Sequence, residues 1–229
     1  MSFTLHPALP EDISTLMRLQ FAAFLDPFRY EPYHEVLYPG GNTPSAIAAA
    51  SVRVTADLLH ESGAHFFKIL DPTGTRIVGG CKWLDVPDNS GPPAPVVADW
   101  FPDEERRGHA EAVLDGLYAA RKKWTRDDPY ICLEMLYVDK EFQGKGAGRC
   151  AMEWGVKRAE ERGWQAVLES TRWARVLYEK FGFVAVEHKL LEVPERWAYK
   201  TPVQYFVMYR PRAGETVVEA EDKGWVPRR

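Results

Sequence analysis

The chain has 229 residues, 45 % hydrophobic and 27 % charged, with a formal net charge of -4. That size and balance suit a single globular domain burying roughly 70–75 % of its unfolded surface, and they exclude a general nucleic-acid binder, which needs a lysine and arginine excess to neutralise phosphates. No apolar run approaches the roughly eighteen residues that cross a bilayer, and the start MSFTLHPALPEDIS has no basic region followed by an apolar one, so the expectation is a cytoplasmic protein without membrane attachment.

In chain order, residues 2–6 read as a short strand, and Glu11-Asp12 open a helix that runs to about Phe24 with Ile13, Leu16, Met17 and Leu19 on its apolar stripe. Residues 21–38 then hold six aromatic side chains, Phe21, Phe24, Phe28, Tyr30, Tyr33 and Tyr38, beside Asp26, Glu31 and Glu35. An aromatic wall with carboxylates suits an amine, since cations lie well over ring faces; the plainer reading is that the rings plug a long connection onto the core. Residues 43–59 predict an alanine-rich helix capped at Thr43 or Ser45. Residues 64–70 and 76–84 predict a hairpin around Asp71-Pro72-Thr73-Gly74, with the pair Gly79-Gly80 allowing a bulge or a close approach in its second strand. The proline-rich residues 86–102 read as an inserted surface loop covering a pocket, and residues 103–124 as a helix with Ala110, Val113, Leu114, Leu117, Tyr118 and Ala120 on one face and a solvated charged face opposite.

Residues 131–138 form a strand pattern with one carboxylate, Glu134, set inside it. After it, Gln143-Gly144-Lys145-Gly146-Ala147-Gly148-Arg149 places three glycines at alternate positions at the start of a helix that Gly163 stops. Backbone amides left uncovered at a helix start form a site for phosphate oxygens. The spacing is not the G-x-G-x-x-G of a dinucleotide fold, and Gly144-Lys145 is followed by Gly146 where a nucleoside triphosphate loop needs Ser or Thr. A turn serving geometry alone is the remaining alternative. Strand, helix and strand follow, with the run Ala174-Arg175-Val176-Leu177-Tyr178-Glu179-Lys180-Phe181-Gly182-Phe183 in the second helix. Residues 183–187 and 203–210 close the pattern as strands around a loop or partial helix at 188–200. The tail from Pro211 carries Glu215, Glu219, Glu221 and Asp222 with Trp225 as its one large anchor, and it reads as loosely held or as an arm.

The order Gln143-x-x-Gly146-x-Gly148 after a strand, with L-Y-E-K-F-G-F some thirty residues on, resembles the GCN5-related N-acetyltransferase (GNAT) superfamily. The resemblance centres on residues 130–190, extends over 1–210 and stops before the tail, which divides the chain into a domain at 1–210 and a tail at 211–229. It implies an α/β fold: a mixed, twisted sheet of six to seven strands flanked by helices, whose fourth and fifth strands splay to admit the pantetheine arm of acetyl-CoA. On that basis the backbone of Leu136, Tyr137 and Val138 binds the thioester arm, and Gln143, Gly144, Lys145, Gly146, Ala147, Gly148 and Arg149 hold the pyrophosphate. Tyr178 matches the family's tyrosine and is the candidate general acid, since a phenol stays protonated at neutral pH; its plainer role is packing. Glu134 is the candidate base, or a structural carboxylate. The family often carries asparagine seven residues before this tyrosine; here Thr171 stands, able to cap the next helix or to offer a hydroxyl, with Ser170 as a substitute contact. The acceptor walls implied are the aromatic segment and the loop holding Trp197 and Tyr199.

The expected activity is transfer of acetyl from acetyl-CoA to a primary amine of a small molecule or peptide in a ternary complex. A non-catalytic acetyl-CoA sensor, another acyl donor, or a hydroxyl acceptor are the alternatives. The dispersed histidines lack H-E-x-x-H spacing, so no metal is expected. Cys81, Cys132 and Cys150 lack C-x-x-C spacing and read as reduced thiols. The oligomeric state is open, a homodimer included.

Overall fold

A computed structural model describes residues 2–191, 194–197 and 200–217. Its strands are β1 Thr4–Pro7, β2 Ala64–Leu70, β3 Ile77–Val86, β4 Tyr130–Val138, β5 Gln165–Ser170, β6 Val184–Leu190 and β7 Gln204–Arg210. They form one seven-stranded sheet in the order β1-β2-β3-β4-β5-β7-β6. β4 and β5 pair in parallel, while the other neighbouring pairs are antiparallel. The mixed α/β sheet expected from the resemblance is therefore the one found.

The helices are α1 Ile13–Phe24, α2 Pro32–Leu37, α3 Pro44–His60, α4 Glu104–Thr125, α5 Ala147–Arg162 and α6 Arg175–Glu179. Local chemistry explains their starts and stops. Thr43 caps α3 by accepting from the Ala46 amide at 3.3 Å with Pro44 just inside, and Asp103 caps α4 by accepting from the Arg106 amide at 2.8 Å. Gly163 ends α5 at φ 64°, the left-handed conformation that costs glycine least. α2 was hidden in the aromatic segment, where Pro32 opens a six-residue helix. β6 runs past the expected end at 187 because Lys189 and Leu190 find partners in Tyr205 and Gln204.

β4 divides the core by face. Ile131, Leu133, Leu136 and Val138 meet the cluster built with α5 and α6. Tyr130 and Cys132 meet that of α4, and Met135 and Tyr137 that of α1 and α3. The switch of phase between Leu133 and Leu136 has a cause in the ladder. Lys82 of β3 faces Met135 and Trp83 faces Leu133, so Glu134 is an extra residue, a β-bulge in β4. α5 lies close on the sheet because it presents Gly155 to Trp83: a Cβ there would stand 2.2 Å from the indole ring. Trp83 in turn donates its ring N–H to the Ala151 carbonyl at 3.2 Å. Gly80 allows the close approach that its pair suggested, with a Cβ position 2.9 Å from Leu16. The ladder of β2 and β3 shifts register just before the pair, where Ile69 faces Gly79 and Leu70 faces Ile77 with Val78 left over. Past β7, Arg212 pairs with Asp128 at 2.8 Å; residues 218–229, with Glu219, Glu221, Asp222 and Trp225, lie outside the described residues.

Candidate active site

The bulge at Glu134 sits where β4 leaves β5. Their pairing ends at Leu133 and Leu168. Beyond that point residues 135–138 pair with β3, and Glu169 and Ser170 pair with β7. The two central strands thus part, opening a gap in the sheet. The Asp139 amide donates to the Val78 carbonyl at 2.7 Å. Alternation along an antiparallel ladder then directs the Tyr137 amide to β3 and turns those of Leu136 and Val138 toward the gap.

The glycine loop closes one end of this gap. Gln143 is anchored on both sides, its amide donating to the Val138 carbonyl at 3.0 Å and its oxygen accepting from Arg29 at 2.9 Å. Gly144 and Gly146 hold φ of 72° and 93°, conformations that a Cβ disfavours, and Gly146 is the N-cap of α5. Ala147 and Gly148 follow in the first turn of α5, where amides have no intrahelical acceptor. A Cβ on Gly148 would lie 3.2 Å from Leu177 and 3.6 Å from Leu136, so this glycine lets the helix start close to both. Lys145 lies over the Phe142 ring at 5.7 Å, and Arg149 pairs with Glu153 at 2.7 Å on the exposed side of α5.

Across the gap, Ser170 is buried and donates its hydroxyl to the Thr171 carbonyl at 2.7 Å. Thr171 does not cap the next helix: α6 begins at Arg175 with Ala174 as its N-cap, because the intervening turn is closed by the Ala174 amide on the Thr171 carbonyl. Tyr178 is 5 % exposed and packs its ring edge-on to Phe183 at 6.4 Å. Burial pushes its phenol well above the ordinary tyrosine range, with Cys81 adding to the effect.

On the opposite face of β4 lies a cavity of about 240 Å³, lined by residues of α1, α2, α3, β2, β3, α4 and β4. Glu134 enters it from the bulge. Its carboxylate contacts Lys82 Nζ at 2.6 Å and Arg121 at 3.6 Å. Burial alone would raise its pKa, but Lys82 and then Arg121 outweigh burial and hold the carboxyl below its usual range. Lys82 also pairs with Glu61 at 2.7 Å, and Arg121 grips Glu169 with two bonds of 3.1 and 2.7 Å. Glu134 and Tyr178 therefore approach the opening of the sheet from opposite faces.

Residues 104–185 match the acetyltransferase (GNAT) domain model. Over those residues, about a third of the chain, the protein is similar to a GNAT domain. Solved structures that resemble it include the histone acetyltransferase HPA2 and related acetyltransferase of Corynebacterium glutamicum, at 20 % identity, TM-score 0.60, and 95 % of this chain against 100 % of that one. A mosquito arylalkylamine N-acetyltransferase like 5b follows at 14 % identity, TM-score 0.63, with 91 % and 99 % covered. The polyamine N-acetyltransferase of Drosophila melanogaster aligns at 15 % identity, TM-score 0.62, with 91 % and 97 % covered. At these identities the likeness is one of fold. No curated protein matches the chain.

The matched stretch spans α4, β4, the glycine loop, α5, β5, α6 and the start of β6, which are the elements around the gap. The cavity draws on residues before it as well. Tyr33 and Tyr38 of the aromatic segment line it, as does Trp100 of the proline-rich loop, whose indole N–H donates to the Val36 carbonyl at 3.0 Å. The segment's carboxylates do not line it. Asp26 pairs with Lys140 at 2.9 Å, and Glu35 accepts from the Tyr30 hydroxyl. Trp197 is buried against His109 and Gly108 at the start of α4 and is no part of the cavity lining; Tyr199 lies outside the described residues. Sequence reasoning missed Lys82, Arg121 and Arg53 in this lining. Arg121 had a signal, since it follows Leu117 by one helical turn on the buried stripe of α4. Among the described residues no group of three or more His, Cys, Asp or Glu side chains converges as a metal would need, and no helix is long and apolar enough to cross a membrane.

Proposed function

We propose that this GNAT-like protein is an acetyl-CoA-dependent N-acetyltransferase acting on a small primary amine. The observation that carries the reading is the coincidence of three features at one place: strands parting at the Glu134 bulge, backbone amides of Leu136 and Val138 turned into the opening, and a glycine loop at positive φ ending on the first turn of α5. The residues fit the donor. Amides at the start of α5, with the positive end of its helix dipole, suit a pyrophosphate, and a strand edge without a partner strand suits the amide groups of pantetheine.

Acetyl-CoA supplies the activated acyl group. The protein's part is to orient it, to take a proton from the amine and to give one to the departing thiolate. Tyr178 suits the last step: a buried phenol held in its protonated form is a donor that does not ionise near neutral pH. Glu134 is charged but tied to Lys82 and Arg121, so its role is to draw an ammonium into the cavity and to accept its proton through water. The ion-pair chain from Glu61 through Lys82, Glu134 and Arg121 to Glu169 joins two cations to three carboxylates. That surplus negative charge favours an approaching ammonium. The cavity, at about 240 Å³, lies below the roughly 300–1,000 Å³ usual for ligand pockets, which favours a small acceptor over a peptide. Purified protein given acetyl-CoA and a panel of small primary amines is expected to release coenzyme A thiol with at least one of them. Binding of acetyl-CoA without turnover on any amine would instead support a sensor.

A further inference from the structure

We propose that the acceptor is an amine of amino-acid size that also bears a carboxylate, and that Arg53 of α3 is the residue that holds this carboxylate. The inference rests on the acyl-transfer reading of the cavity and adds the acceptor's second charge. Three cations line the cavity: Arg53, Lys82 and Arg121. Two of them are matched, Lys82 by Glu134 and Glu61, and Arg121 by Glu169 and Glu134. Arg53 has no carboxylate partner among the described residues. It is half-buried, lies over the rings of Tyr38 at 4.9 Å and Trp100 at 4.5 Å, and donates from Nη2 to the Leu37 carbonyl.

Those contacts fix the guanidinium plane while using one of its five donors. A planar fork held in place by aromatic rings and a carbonyl is pre-organised for two-point binding of a carboxylate, and it loses little side-chain freedom on doing so. The elements that hold it are tied to one another: Tyr38 follows α2, Trp100 comes from the proline-rich loop, and Val36 of α2 accepts the Trp100 indole N–H. Asp57 lies one helical turn along α3 and also lines the cavity, yet it makes no ion pair with Arg53. The lining therefore presents an unmatched cation on the α3 side and the carboxylate Glu134 on the β4 side. A polyamine would bring a second positive charge to Arg53, which is unfavourable. A zwitterion places its carboxylate on Arg53 and its ammonium toward Glu134. The rest of the lining, Ile13, Leu16, Met17, Tyr33, Val54 and Phe66, suits an apolar or aromatic side chain branching from the carbon that carries the amine.

The test compares matched acceptors on the purified full chain: L-phenylalanine with 2-phenylethylamine, and L-methionine with 3-(methylthio)propylamine, by thiol release, with calorimetric binding of acetyl-CoA and of each amino acid measured separately. The wild type is expected to favour the carboxylated member of at least one pair tenfold or more in kcat/KM. Arg53→Gln is expected to raise KM for that amino acid at least tenfold and to leave the KM of acetyl-CoA unchanged; Arg53→Lys, which keeps charge but not the fork, falls between. Preference for the decarboxylated amines, or an equal effect of Arg53→Gln on both members of a pair, overturns the proposal and leaves acyl transfer standing. Failure of acetyl-CoA to bind removes the acyl-transfer reading itself, and amino-acid binding that Arg53→Gln abolishes would in that case still place the carboxylate on Arg53.

Discussion

Tyr178 and His34 are both buried ring side chains, and they lead to opposite kinds of prediction. Tyr178 has a core position and a hydroxyl whose ionisation burial suppresses. Tyr178→Phe keeps the ring in place against Phe183, so stability should change little while kcat falls about 10²-fold or more, the scale of a lost proton donor, with acetyl-CoA affinity within threefold of wild type. Steady-state kinetics beside calorimetry checks this, and an unchanged kcat would reduce the tyrosine to a packing residue. His34 packs between Phe21, Phe24 and Tyr38, and neither of its ring nitrogens has a hydrogen-bond partner among the described residues. Burial holds its pKa down at about 3 against an ordinary 6.5. Above pH 6.5 the ring is neutral in both folded and unfolded chains and contributes no pH dependence. Below it the unfolded chain takes a proton that the native one refuses, so stability falls by up to ~1.4 kcal/mol per pH unit until the native ring itself titrates. Denaturant unfolding of His34→Phe between pH 6.5 and 5 should lose one proton's share of the wild-type slope, and an unaltered slope would mean that the ring is accessible to protons.

At the scale of elements, α5 is placed by two glycines that act differently. Gly155→Ala would ordinarily gain ~1 kcal/mol as a helix substitution, but the added carbon meets the Trp83 ring 2.2 Å away. Overpacking wins, and unfolding measurements should show a loss of about 1–3 kcal/mol; a stabilised variant would mean that α5 rides higher on the sheet. Gly146→Val meets nothing around its Cβ, so its cost is in the backbone at φ 93°, about 1–2 kcal/mol, together with a branched side chain beside the first amides of α5. Calorimetry should show acetyl-CoA affinity reduced at least tenfold. These elements were largely legible in the sequence. Glycines at alternate positions, the Thr43 cap and the alternating strands are local signals, and the structure keeps them within a few residues. The bulge at Glu134 was not legible, because it is a register between β3 and β4 that neither strand specifies alone. The cavity was misread for a related reason. Asp26 and Glu35 stand next to aromatic residues in sequence and turn away from the cavity in space, while Lys82, Arg53 and Arg121 come from three separate elements.

For the whole molecule, the sheet is held as a unit on both sides of its opening: β1 to β4 form one antiparallel run, and β5, β7 and β6 another. Where the two runs meet, four residues of β4 pair with β5, and the Arg121–Glu169 and Arg121–Glu134 contacts tie α4 to both strands. A ligand seated in the opening would bridge the halves and stabilise them together. The most direct measurement is a crystal structure of the protein with acetyl-CoA. The account predicts the pyrophosphate on the amides of residues 144–148, the thioester arm along Leu136 to Val138, and the Tyr178 hydroxyl beside the sulfur. An opening between β4 and β5 filled by side chains, or a donor bound elsewhere with Tyr178 remote from its sulfur, would contradict it.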